Sequence, residues 1–104
     1  MWLIVLRNRF SLVGHLDQPR IDEIAAQAND SDCGLGARIW TKDISKAHAL
    51  AKKLRAGTVW INCYNVFDAS LPFGGYKQSG WGREMGHQVL EAYTEVKAVT
   101  AQLG

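Results

Sequence analysis

Among the side chains able to attack an electrophile, the two cysteines come first: Cys33 and Cys63. A thiol becomes a useful nucleophile when a base or cation beside it favours the thiolate. Neither has a histidine near it in sequence, and no spacing of Ser, Cys and His brings a triad together, so an independent enzyme built on Cys63, His48 or His87 has no support from the order of residues. The cysteines also lack a CxxC partner, and no secretory leader precedes them. They read as reduced thiols that behave as small hydrophobes, with a disulfide as the minority alternative.

The second chemical feature is the stretch Cys63 to Gly82. It holds Gly74, Gly75, Gly80, Gly82 and Pro72 and has no helical period. A loop of that length in a compact domain is functional or disordered. Its aromatics, Tyr64, Phe67, Phe73, Tyr76 and Trp81, argue against disorder, because such rings need burial or a partner. Glycines let the backbone turn where side chains would clash, while Phe67 and Phe73 supply rigid apolar walls. That combination lines a pocket; the competing reading, two ordinary core aromatics, stays open at this point.

These residues must be positioned by a small scaffold. At 104 residues the chain can bury one core, which fits a single domain spanning 1–104 and leaves no room for a two-domain enzyme. Twelve Lys and Arg oppose ten Asp and Glu, and the basic residues are scattered, which argues against nucleic acid and membrane surfaces as partners. The apolar run Trp2 to Leu6 ends at Arg7, well short of the ~20 residues a spanning helix needs. A cytoplasmic location is expected.

The patterning predicts an α/β fold. Trp2 to Leu6 and Phe10 to Val13 form two short strands. A helix runs from about Pro19 to Ala28, where Ile21, Ile24, Ala25 and Ala28 recur at helical spacing. Gly34 to Trp40 is a strand. Asp43 caps a second helix with an apolar stripe of Ile44, Ala47, Leu50, Ala51 and Leu54, stopped by Gly57 at C′. Thr58 to Asn62 is a strand covered on both faces, so strand, helix and strand make a right-handed βαβ crossover with a parallel pair. A short helix from about Glu84 to Tyr93 and a closing strand from Thr94 to Gln102 complete the chain, with the helices on a small parallel sheet.

The segment Leu71-Pro72-Phe73-Gly74-Gly75-Tyr76-Lys77-Gln78-Ser79-Gly80-Trp81-Gly82-Arg83-Glu84 resembles the C-terminal loop of the NAD(P)-dependent aldehyde dehydrogenases. Gly57 to Asn62 and Glu91 to Lys97 match in the same order, as do Ala28 to Ser31, Gly34 to Ala37 and Trp40 to Asp43. The likeness covers roughly Ile21 to Thr100, and it is closest in flavour to betaine aldehyde dehydrogenases. Residues 1–16 form a divergent segment, followed by the family-like region 17–104.

The resemblance implies a fragment of the catalytic domain with a C-terminal oligomerisation strand. It places Phe67 and Phe73 along the aldehyde tunnel as substrate-binding residues. It makes Lys77 and Gly80 backbone ligands of a potassium ion, and Glu84 a relay carboxylate. Against these stand a solvated charge for Lys77 and a first-turn helix acid for Glu84. Members of the family oxidise aldehydes to acids through a cysteine thiolate, a hydride acceptor and a general-base glutamate. Here the Gly-Gln-x-Cys and Glu-x-Phe-Gly-Pro motifs are missing, as is any glycine-rich turn for NAD(P). The expectation is a truncated aldehyde dehydrogenase with no cofactor of its own, inactive alone. It is expected to form a homo-oligomer or to dock on a full-length aldehyde dehydrogenase; a non-catalytic interaction module is the alternative.

Overall fold

The computed structural model describes residues 2–6, 10–14 and 20–104, with side chains for 20–104. Strands β1 (Trp2–Leu6) and β2 (Phe10–Gly14) pair antiparallel, as two strands at the start of the chain predict. Next come α1 (Ile21–Asn29), β3 (Cys33–Gly34), β4 (Gly36–Ile39) and α2 (Ile44–Ala51). Beyond these lie β5 (Thr58–Ile61), β6 (Tyr76–Lys77) and α3 (Val89–Tyr93). Pro19, expected in the first turn of α1, lies outside the described residues.

The main sheet has the order β2-β1-β4-β5, and β3-β6 form a second, two-stranded sheet. The β4-α2-β5 crossover appears as predicted, with Gly36 to Ile39 running parallel to Thr58 to Ile61. The sheet as a whole is mixed and not parallel, because β1 meets β4 antiparallel, Ile4 opposite Ile39. The expected strand Gly34 to Trp40 breaks at Leu35: Gly34 pairs with Tyr76, whereas Gly36 onward pairs with β5.

Alternation along β4 explains the layering. Ala37 and Ile39 are buried among Ile21, Ala25, Ala28, Ala47 and Leu50 of the two helices, with Val59 and Ile61 of β5 packed alongside. Gly36 and Arg38 therefore point to the opposite face, with Thr58 and Trp60. α2 starts where expected: Lys46 N–H donates to Asp43 Oδ1 at 3.0 Å and Asp43 N–H to Thr41 Oγ1 at 2.9 Å. It ends at Ala51, however, well before Gly57, which lies just ahead of β5 instead.

Two asparagines tie the elements together. Asn29, at the end of α1, donates from Nδ2 to Lys53 O and accepts at Oδ1 from Arg55 N–H, both at 2.7 Å. Asn62, in the left-handed region at φ 54°, clasps Thr41 N–H and C=O in the same way at 2.8 Å. Each such bond contributes about 0.5–1.5 kcal/mol net.

Two expected elements take another form. The helix from Glu84 is confined to Val89–Tyr93, because Met85 and Gly86 adopt φ 57° and 62°, which no α-helix accommodates. Thr94 is extended, at φ −131° and ψ 156°, but the segment from Thr94 to Gln102 is not a strand in this chain. A strand exists by its ladder, and no neighbour supplies one among the described residues.

Candidate functional site

The face of the sheet away from the helices is roofed by the loop that follows β5. Trp60 is its anchor. Its Nε1–H donates to Val66 O at 2.8 Å, drawing the loop back over the strand. The ring lies close over Gly36, where a Cβ would come within 2.9 Å of it. Tyr64 and Phe67 meet Trp60 edge-on at 5.4 and 5.7 Å between centroids, and Phe67 meets Phe73 at 5.1 Å. Such edge-to-face pairs add about 0.5–1.5 kcal/mol each beyond burial.

Phe67 is half exposed, so it is not a plain core residue. Phe67 and Phe73 lie between two grooves. One, of about 460 Å³ open to solvent, is lined by Gly36, Arg38, Trp60, Tyr64, Phe67 and Phe73 among others. The other, of about 620 Å³, runs along β5 past Val59, Ile61, Cys63, Leu71 and Met85. Both sequence-derived pocket residues thus share one apolar site. At its rim Asp68 Oδ1 accepts from the Ser70 hydroxyl at 2.6 Å and from Ser70 N–H at 2.8 Å. The hydroxyl first, then the amide, holds that carboxyl below the ordinary 3.8.

The glycine-rich part is stitched to the turn after α1. Cys33 and Gly34 pair with Lys77 and Tyr76, Gln78 N–H donates to Asp32 O at 2.9 Å, and Gly34 N–H donates to Ser79 Oγ at 3.0 Å. Lys77 is exposed, as a solvated charge would be, and it also closes the turn after α1. Its Nζ donates to Asn29 O at 2.6 Å and Ser31 O at 2.8 Å, closing the turn. Lys77 O accepts from Gly80 N–H at 3.2 Å, so one of the two carbonyls implied for potassium already caps a tight turn.

Glu84 is not a first-turn helix acid. Its backbone exchanges both hydrogen bonds with Phe73 at 2.7 Å, and its side chain is exposed. That bridge fixes Phe73 at the neck of the loop. Tyr76 has the guanidinium carbons of Arg55 and Arg83 each 5.3 Å from its ring centroid, contacts that spacing along the chain does not reveal. Cys33 and Cys63 are free and half-buried, short of the full burial expected for small hydrophobes. Among the described residues no three His, Cys, Asp or Glu converge to hold a metal ion. No described helix is long and apolar enough to cross a membrane.

The β4-to-α2 connection, Trp40 to Asp43, carries no glycine.

Comparison with known proteins gives a consistent result. The family model for the aldehyde dehydrogenase family matches residues 16–99. A putative aldehyde dehydrogenase, DhaS, of Bacillus subtilis (strain 168) is 59% identical over 83 residues, which is 80% of this chain and 17% of the relative. The NAD+ complex of an aldehyde dehydrogenase from Bacillus cereus superposes with a TM-score of 0.71 at 56% identity over 75% of this chain and 16% of that one. A betaine aldehyde dehydrogenase from Staphylococcus aureus in complex with NAD+ gives 0.67 at 51% identity over 70% of this chain and 14% of that one. The chain spans about a sixth of the length of such relatives.

Proposed function

Since this chain belongs to the aldehyde dehydrogenase family, we propose that it supplies one wall of the aldehyde pocket of such an oxidoreductase and does not oxidise aldehydes alone. The observation that carries the reading is the aromatic train Trp60, Tyr64, Phe67 and Phe73. It is half exposed and shaped into grooves, where a core would be closed. Phe67 and Phe73 touch the substrate body in this reading. Glu84, on the bridge to Phe73, is the relay carboxylate, its position set by backbone pairing. NAD(P) supplies hydride acceptance in the family, and the β4-to-α2 connection here has no glycine-rich turn for its pyrophosphate. The carbonyls of Lys77 and Gly80 are the potassium ligands the reading assigns, yet two oxygens do not complete a shell for a hard cation. That ion would need further ligands from outside this pair.

The test is NADH formation by the purified chain with aliphatic, aromatic and betaine aldehydes, together with calorimetry of NAD and NADP. The expected result is no turnover and no saturable binding at millimolar cofactor. Turnover that disappears in Cys63→Ser would overturn the proposal.

A second reading, an oligomerisation module, has its own support. Val96, Val99 and Leu103 are exposed by 102%, 83% and 92%, and the backbone around them lacks ladder partners among the described residues. An extended segment with apolar side chains in water invites strand addition by a second copy or by a full-length relative. Trp60, by contrast, is partly covered by the loop that its indole N–H holds at Val66 O. Light scattering over a concentration series is expected to show association. Val96→Pro, which cannot donate to a ladder, is expected to abolish it. A monomer at high micromolar concentration would eliminate this reading.

A further inference from the structure

Among the described residues Arg38 is the one charged side chain lining the groove over Gly36, and the family motifs quoted above give it no role. Alternation along β4 fixes its direction: with Ala37 and Ile39 in the core, Arg38 must emerge on the aromatic face, opposite Trp60 in the parallel ladder. Its guanidinium carbon sits 4.8 Å from the centroid of Tyr64. Its Nε is shut off from water and has no hydrogen-bond partner among the described residues. No described carboxylate forms an ion pair with it; the pairs present are Lys46 with Asp43 and Lys53 with Asp22. Asp68, on the neighbouring groove, spends its Oδ1 on Ser70.

A guanidinium beside aromatic rings with no carboxylate partner among the described residues is a charge that an arriving anion can pair through its outer nitrogens. The guanidinium is a planar fork that matches a carboxylate, and one positive charge suits a monoanion. Around it stand Trp60, Phe67 and Phe73, flat surfaces suited to one face of a ring or short chain in a groove that opens to solvent. Asn65, at φ 54°, shares the same lining.

We propose that this groove binds a ligand with an apolar, ring-sized body and a carboxylate, the carboxylate seated on Arg38. The inference rests on the pocket reading above and deepens it: the substrate or product class is one that presents an anionic oxygen pair to β4 while its body lies on the aromatic wall.

The probes are phenylacetate and its neutral counterpart phenylacetamide, titrated into the full chain and followed by NMR, including the Arg38 Nε–H resonance. The neutral probe reads the apolar wall alone. The anionic probe is expected to bind roughly tenfold more tightly or better, as a charge-assisted contact implies, and to move the Nε–H signal. Arg38→Gln is expected to bring the two probes level, and Arg38→Lys to restore part of the preference. Equal binding by the wild-type chain, or an anion preference that survives Arg38→Gln, would overturn the assignment and leave the apolar pocket standing. Failure of both probes to bind would remove the pocket reading and this inference with it. Because the Nε–H signal is read in the unaltered chain, a variant that does not fold leaves the test intact.

Discussion

Alanine in place of Gly57 is expected to unseat the glycine loop and disorganise the aromatic wall. A Cβ at this position would lie 1.6 Å from Gly74 O, a backbone atom that cannot swing aside as a side chain does. Gly57 N–H also donates to Gly34 O at 2.9 Å, which ties the start of β5 to β3 and limits retreat on its side. The loop must therefore move. Overpacking usually costs about 1–3 kcal/mol and more where backbone is struck, and here displacement of Gly74 also pulls on Phe73, the next residue along. The expected outcome is a loss of about 3 kcal/mol or more from a total of ~5–15 kcal/mol for a domain of ordinary stability. Near-UV circular dichroism of Trp60 and its neighbours should weaken, while the far-UV signal of α1 and α2 persists. Wild-type stability together with an unchanged aromatic signal would show that the Gly57 to Gly74 approach is unimportant.

Leu50→Ala is expected to cost about 2–5 kcal/mol, near the upper end of that range. Leu50 is 1% exposed and, with Ile39, is one of the two largest fully buried side chains among the described residues. Its cluster includes Ala25, Ala28, Ala37, Ala47 and Ala56. Alanines have no rotamers with which to fill a vacated space, so the cavity stays open and the lost dispersion contacts are not recovered. Urea titration should show a lower midpoint with the slope unchanged, the sign that stability fell without a change in the surface exposed on unfolding. A shift worth less than about 1 kcal/mol would mean that α2 can collapse onto the sheet.

The crossover was readable from sequence because every level of its design agrees. Asp43 is a good cap, the stripe through Ala47, Leu50 and Leu54 is helical, and Thr58 to Ile61 is β-branched or apolar throughout. What failed were signals that depend on distant groups. Met85 and Gly86 lie in a run that reads as helical, and their left-handed backbone follows from the Phe73 to Glu84 bridge and from Gly86 N–H bonding to Ala69 O at 2.9 Å. Thr94 to Gln102 has strand composition without a partner to pair with. Lys77 looked like any surface lysine because its acceptors, Asn29 O and Ser31 O, stand 48 and 46 residues away.

Of the candidate site, Phe67 and Phe73 were legible because rings in a glycine-rich loop need a reason to be there. Trp60 and Tyr64, which complete the wall, were visible only as strand and loop residues. Arg38 gave no signal at all: on a four-residue strand, a charge opposite core-facing neighbours looks like ordinary alternation.

The separations spanned by these clasps bear on the order in which the molecule closes. Asn62 and Asn29 secure the crossover over 21 to 26 residues, whereas Ser79 and Lys77 hold the loop across 45 to 48. Doubling a loop adds about 0.6 kcal/mol of closure entropy, and nearby contacts form first. The crossover is thus the early folding unit and the glycine-rich turn at Lys77 and Ser79 the later one, while the aromatic wall is local in itself, with Trp60 bonded to Val66 only 6 residues on.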